Sequence, residues 1–147
     1  MVNFRKITEE NFDAIIRMKR PEDENFVASN AVSLAQAWLY REDGDVFPFA
    51  IYNDDTAVGF MLLEEDLEEK RLDLWRIMLS PEQEGKGYGT AAVKLMIQYA
   101  KDSGRYQKIG LLCGQSNVRA RHIYDKLGFR PTGNICYGDL EMILELS

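Results

Sequence analysis

The sequence predicts a mixed α/β fold, and three observations predict it. A strand pattern over Leu72–Leu79 enters a glycine-rich turn, then a helical pattern, then a second strand pattern at Lys108–Cys113. A helical crossover between two strands of one sheet makes them parallel. Val46–Tyr52 and Ala57–Leu63 flank the turn residues Asn53-Asp54-Asp55-Thr56 and read as an antiparallel hairpin. The chain closes with two more strands around a turn near Tyr137-Gly138-Asp139, the last ending in Leu140–Leu146.

The 147 residues suit one domain with a real core, and no repeat, linker or low-complexity tract divides residues 1–147. Hydrophobic residues make up 46% and charged residues 29%, the composition of a soluble globular protein. The opening MVNFRKITEEN lacks the apolar run of a signal peptide, and no stretch approaches the ~18 apolar residues of a membrane span. Only Cys113 and Cys136 are present, which points to a reducing compartment, and a cytoplasmic protein is expected.

Net charge is −6, unevenly spread. Residues 1–75 hold 8 Lys/Arg against 17 Asp/Glu, whereas residues 76–147 hold 10 against 7. The acidic half repels nucleic acid and favours a cationic partner; the basic half, with the glycine loop, attracts an anion. For any one acidic cluster, such as Glu64-Glu65-Asp66, a solvated surface loop is the simpler account.

In chain order, Val2–Ile7 reads as a first strand, and Thr8 as a helix cap with Glu9 and Glu10 in the first turn. Phe12, Ile15, Ile16 and Lys19 share a helical face, and Pro21 ends that segment. A second helix over about Asn30–Tyr40 is expected to bury Ala31, Leu34, Ala35 and Trp38. On the strand Leu72–Leu79 the period of two places Asp73, Trp75, Ile77 and Leu79 on one face and Leu72, Leu74, Arg76 and Met78 on the other. A helix from Thr90 stops near Ser103-Gly104, and another over Val118–Leu127 ends at Gly128.

The chemistry gathers in the loop Glu84-Gly85-Lys86-Gly87-Tyr88-Gly89-Thr90. Glycines let backbone N–H groups approach an anion, and the helix that follows adds its unpaired first-turn donors and positive dipole end. The loop is a candidate pyrophosphate cradle. It is neither the dinucleotide fingerprint, whose spacing is G-x-G-x-x-G, nor a phosphate loop closed by Gly-Lys-Ser/Thr. It resembles the acetyl-CoA signature Q/R-x-x-G-x-G/A of the GCN5-related N-acetyltransferases, with Glu84 where that family usually has Gln or Arg. A carboxylate there is expected to lower affinity for an anionic coenzyme.

A second segment, SNVRARHIYDKLGF over Ser116–Phe129, resembles another signature of the same family through Asn117, Ala120, Tyr124, Gly128 and Phe129. Locally, Asn117 can cap the helix, and small Ala120 lies one turn before Tyr124. Alone, this is an amphipathic helix with a buried tyrosine; the order of loop, helix, strand and second motif is what carries the resemblance, over about residues 72–130.

The resemblance implies a mostly antiparallel sheet with helices on both faces and one parallel pair splayed open. The pantetheine arm of acetyl-CoA is then expected between Leu72–Leu79 and Lys108–Cys113. Backbone groups of Met78 and Leu79 would pair with it, Gly85–Thr90 (with Lys86, Gly87, Tyr88 and Gly89) would hold the pyrophosphate, Asn117 would touch the arm, and Tyr124 would face the sulfur.

Acetyl transfer to an amine requires loss of a proton from an ammonium of pKa ~10 and protonation of a leaving thiolate. Tyr124 is the candidate acid. Asp73 is the candidate base, with Glu64 and Asp66 as others. The pattern Trp75-Arg76 before Ile77-Met78-Leu79 is most similar to bacterial spermine/spermidine (diamine) acetyltransferases, and an acidic N-terminal half suits a polycation. Other acceptors (an amino acid, an aminoglycoside, a protein N-terminus) and a coenzyme-binding regulatory module without turnover remain open. Neither nucleic acid nor membrane is an expected partner; a homodimer is compatible with the sequence, which does not set the oligomeric state. His122 and Cys113 read as surface and core residues respectively, Trp38 and Trp75 as core or pocket wall, and no cluster has metal-ligand spacing.

Overall fold

The computed structural model describes residues 1–19 and 29–146. One seven-stranded sheet runs in the order β1-β2-β3-β4-β5-β7-β6. Its strands are β1 Val2–Arg5, β2 Val46–Asn53, β3 Thr56–Asp66, β4 Arg71–Leu79, β5 Lys108–Gly114, β6 Arg130–Cys136 and β7 Asp139–Glu145. The hairpins β2–β3 and β6–β7 are antiparallel, and β4–β5 is the parallel pair, as a helical crossover requires. The helices are α1 Phe12–Arg17, α2 Asn30–Leu39, α3 Tyr88–Ser103 and α4 Val118–Leu127.

The two faces carry separate cores. On one, Ala92, Val93, Met96 and Ala100 of α3 pack with Leu72, Leu74, Ile109 and Leu111 of the parallel pair. On the other, Ile15 of α1 packs with Ala50, Phe60 and Leu62, with Leu34 and Ala37 of α2 against them.

The strict alternation expected along β4 fails at Trp75. Leu63 pairs with Leu74 and Leu62 with Arg76, so Trp75 is an extra residue on β4. Such a bulge reverses the phase of every side chain beyond it. Ile77 and Leu79 therefore join Leu72 and Leu74 on the α3 face, while Arg76 reaches Ser33 and Gln36 of α2 on the other.

That contact also corrects the face of α2. Ser33 and Asn30 are buried, whereas Ala31 and Ala35 are exposed and Trp38 is 67% exposed under the Arg41 guanidinium. A half-buried arginine needs polar partners, so the helix turns its polar seam inward. The first helix also starts later than expected. Asn11, not Thr8, shapes its entry: the Asn11 side chain accepts from the Thr8 N–H and donates to the Lys6 carbonyl. Ile15 is buried as expected, but Phe12 is 46% exposed. The stop expected at Pro21 lies outside the described residues.

Candidate active site

The candidate site lies where the parallel pair comes apart. Hydrogen-bonded register joins Arg71–Leu74 to Lys108–Leu111 and goes no further. The bulge at Trp75 begins at that point, bending β4 as its pairing with β5 ends. From Trp75 to Leu79 the strand keeps β3 on one side and leaves a gap toward β5 on the other.

The backbone of β4 is oriented by its partners. The Ser80 N–H donates to the Val58 carbonyl, so alternation turns Ile77 and Leu79 toward the gap. The Leu79 backbone thus lies on the edge of β4 away from β3. Met78 does not: its carbonyl faces β3, where a Cβ added at Gly59 would sit 2.6 Å away. Only glycine at 59 admits that approach.

Beyond Leu79, a 3-10 turn at Pro81–Gln83 leads into the glycine loop. Gly85 and Gly87 take φ of +76° and +79°, and α3 begins at Tyr88, two residues earlier than expected. Tyr88, Gly89 and Thr90 are thus the first helical turn, whose N–H groups lack intrahelical acceptors. Gly89 faces the Leu79 side chain, where an added Cβ would make an ordinary contact at 3.6 Å. The Tyr88 hydroxyl accepts from Asn53, so that ring anchors α3 to β2. Lys86 donates to Gln83 within the loop.

The second wall is built by α4. Asn117 caps it, its side-chain oxygen accepting from the Ala120 N–H at 3.3 Å. Tyr124 packs edge-on against Phe129 with centroids 5.8 Å apart. Its hydroxyl has no hydrogen-bond partner among the described residues, and burial, then the nearby Cys113, raises its pKa above the usual 10. A phenol so placed keeps its proton at any working pH. Cys113 is buried, with its thiol pushed up chiefly by burial, so it is an inert core residue.

Asp73 lies in the closed part of the strand pair. Its carboxylate accepts from Arg71 Nε at 2.6 Å, and Arg71 Nη1 also pairs with Glu141 of β7 at 3.1 Å. Glu141 accepts further bonds from Thr132 and Asn134 of β6. This cluster crosses β5 at Gly110, where any Cβ would collide with the Arg71 guanidinium and the Asp73 carboxylate. Burial raises the Asp73 pKa although Arg71 pulls the other way. Glu64 pairs with Asp73 in register; burial, then Asp73, Asp45 and Asp66, raises its carboxyl as well. Glu64, Asp45 and Asp66, without Asp73, line a groove of about 300 Å³ together with Asp43, Glu65 and Glu68.

Sequence reasoning missed three features of this site: the bulge, the Arg71–Glu141 bridge, and an ion pair between Glu84 of the loop and Arg119 of α4 at 3.2 Å. The glycine at 110, inside an otherwise apolar strand, was the available signal for the second. Among the described residues no cluster of His, Cys, Asp and Glu could hold a metal, and no helix is long and apolar enough to cross a membrane.

Comparison with known proteins agrees with this fold. Spermine/spermidine N(1)-acetyltransferase of Bacillus subtilis (strain 168) is 26% identical over 153 residues, covering 99% of each chain. Spermidine N(1)-acetyltransferase of Escherichia coli (strain K12) is 34% identical over 89 residues, covering 60% of this chain and 48% of its own. The fold matches spermidine N-acetyltransferase from Vibrio cholerae in complex with CoA and spermine, with a TM-score of 0.79 at 18% identity, over 99% of this chain and 95% of that one. The profile of the Acetyltransferase (GNAT) family matches residues 10–129, and the chain belongs to that family of acetyl-CoA-dependent transferases.

Proposed function

We propose that the chain acetylates a primary amine of a polyamine, spermidine or spermine. The observation that carries this is the open end of the parallel pair, with the glycine loop following β4 and the helix that carries Tyr124 following β5. The coenzyme arm lies in the gap along β4, with its pyrophosphate on Gly85–Thr90 and Lys86 and with Asn117 beside the arm. The Leu79 N–H faces the thioester carbonyl and stabilises the charge that develops there.

The amine nitrogen attacks the acetyl carbonyl, the C–N bond forms and the C–S bond breaks. Asp73, in the closed half of the pair, takes the ammonium proton through a relay of several ordered waters, and the Tyr124 hydroxyl delivers a proton to the departing thiolate. Burial raises the Asp73 carboxyl toward neutrality, the direction a base needs. The groove of Asp43, Asp45, Glu64, Asp66 and Glu68 holds the distal cations of the acceptor. The relatives that act on spermine and spermidine support the same acceptor class.

Thiol release from acetyl-CoA tests the reading. Turnover is expected with spermidine, with a KM well below that of a monoamine of similar length, and Glu64→Gln narrows that difference. Release with the monoamine but no preference for spermidine would overturn the polyamine assignment. One observation favours a different acceptor: Arg76 projects on the α2 face, and among the described residues no carboxylate pairs with it. An amino acid anchored by its carboxylate would use that cation, so glycine amide and free amino acids belong in the same assay.

A further inference from the structure

The loop that receives the coenzyme phosphates carries a carboxylate, Glu84, at its first position. A negative charge opposes phosphate binding there. The structure supplies the counter-charge from another element. Arg119, in the first turn of α4, pairs through Nη1 with Glu84 Oε1 at 3.2 Å. The pair spans the mouth of the gap, because α3 and α4 start after the two strands that part from one another.

Two features set Arg119 apart from the other arginine of that turn. Arg121 is paired along its own helix with Asp125 at 3.3 Å. Arg119 has no partner on its helix; its side chain is 70% exposed, and among the described residues Glu84 is its sole hydrogen-bond partner. A guanidinium has five donors, so one bond to Glu84 leaves the others available to an anion bound at the loop. An exposed ion pair of this kind adds little to stability, so its placement bears on binding more than on folding.

We propose that Arg119 is a phosphate-binding residue for the coenzyme, held across the mouth by Glu84. Glu84 positions the guanidinium before coenzyme binds and competes with the phosphates for it once coenzyme arrives. This rests on the reading that Gly85–Thr90 is the pyrophosphate cradle. Bidentate arginine–phosphate geometry makes the contact directional as well as electrostatic.

Calorimetric titration with CoA, without acceptor, tests this on the wild type, Arg119→Gln, Glu84→Gln, the double variant and Gly87→Ala. Arg119→Gln is expected to weaken CoA about tenfold in both the wild-type and the Glu84→Gln backgrounds, and to flatten the salt dependence of Kd. Glu84→Gln alone is expected to tighten CoA several-fold. If Arg119→Gln weakens binding in the wild type but costs nothing beside Glu84→Gln, Arg119 only neutralises Glu84 and the proposal fails. Gly87→Ala separates the two readings, because its φ of +79° disfavours a Cβ. Should Gly87→Ala leave Kd unchanged, the cradle reading itself falls; should it weaken CoA while Arg119→Gln does not, the cradle stands and Arg119 is not a ligand.

Discussion

The same two strands behave differently over their two halves. In the closed half, Arg71–Leu74 pair with Lys108–Leu111, and Arg71 bridges Asp73 and Glu141 across β5. The entrance to β5 is also tied down: the Lys70 carbonyl accepts from the Gln107 N–H at 2.7 Å, and the Tyr106 hydroxyl donates to Glu65. In the open half, one inserted residue, Trp75, ends the register, and the β4 backbone turns its polar groups toward a gap. Backbone groups must find partners. The closed half finds them in strands on both sides, whereas in the open half, among the described residues, β3 is the one strand paired with β4. Rigidity on one side of the bulge is what lets the other side stay open in a defined shape.

The largest expected effect belongs to the open half. Tyr124→Phe should lower kcat at least about a hundredfold while leaving Kd for CoA nearly unchanged. Steady-state thiol release paired with CoA titration measures both, and an unimpaired kcat would assign the acid to water or another group. The rate of the wild type should show no alkaline limb from this phenol below pH 10, because burial moves its titration upward.

Next comes the strand that borders both halves. Gly59→Ala drives a Cβ against the Met78 carbonyl and must shift β4, at a cost of about 3 kcal/mol and with weaker CoA binding. A thermal melt alongside CoA titration would show whether the two losses travel together. A variant that melts lower yet binds CoA normally would mean that the open half tolerates movement of β4.

The closed half is tested by Arg71→Met, which leaves the Asp73 and Glu141 carboxylates less than a third exposed and without their cation. A loss of about 2 kcal/mol in chemical denaturation is expected. Asp73→Asn asks whether that half also serves the chemistry. If Asp73 is the base, the rate rises with pH as its carboxyl ionises, at a pKa above the ordinary 3.8 because it is buried, and Asp73→Asn removes that acidic limb. A limb that survives the substitution would confine Asp73 to the clamp.

The smallest effect is alkaline. Burial, then the bond to Glu65, pushes the Tyr106 pKa up to about 12. Because the folded value exceeds the unfolded one, its contribution is complete below pH 10 and is lost as pH rises toward 12. Tyr106→Phe should flatten that part of the alkaline decline in denaturant midpoint, leaving the portion due to Tyr124.

Much of this was legible beforehand because it is local. The turn residues between β2 and β3, the glycines at 85 and 87, the cap at Asn117 and the stop at Gly128 act within a few residues of where they stand. Element order then dictated that β4 and β5 are parallel. The faces of β4 and α2 were not legible, because each depends on a distant partner. Nothing near Trp75 announces an extra residue, and nothing in α2 announces that Arg76 will claim Ser33 and Gln36.

The sequence by itself therefore determined the order of the elements, the glycine loop between β4 and α3, and the capped helix that carries Tyr124. The tertiary structure alone decided where β4 and β5 part, which backbone groups of β4 face the gap, that Asp73 is bound to Arg71, and that Glu84 meets Arg119. The reason is physical: periodicity and turn chemistry are encoded over spans of a few residues, whereas register shifts and ion pairs depend on groups 35 to 70 positions apart.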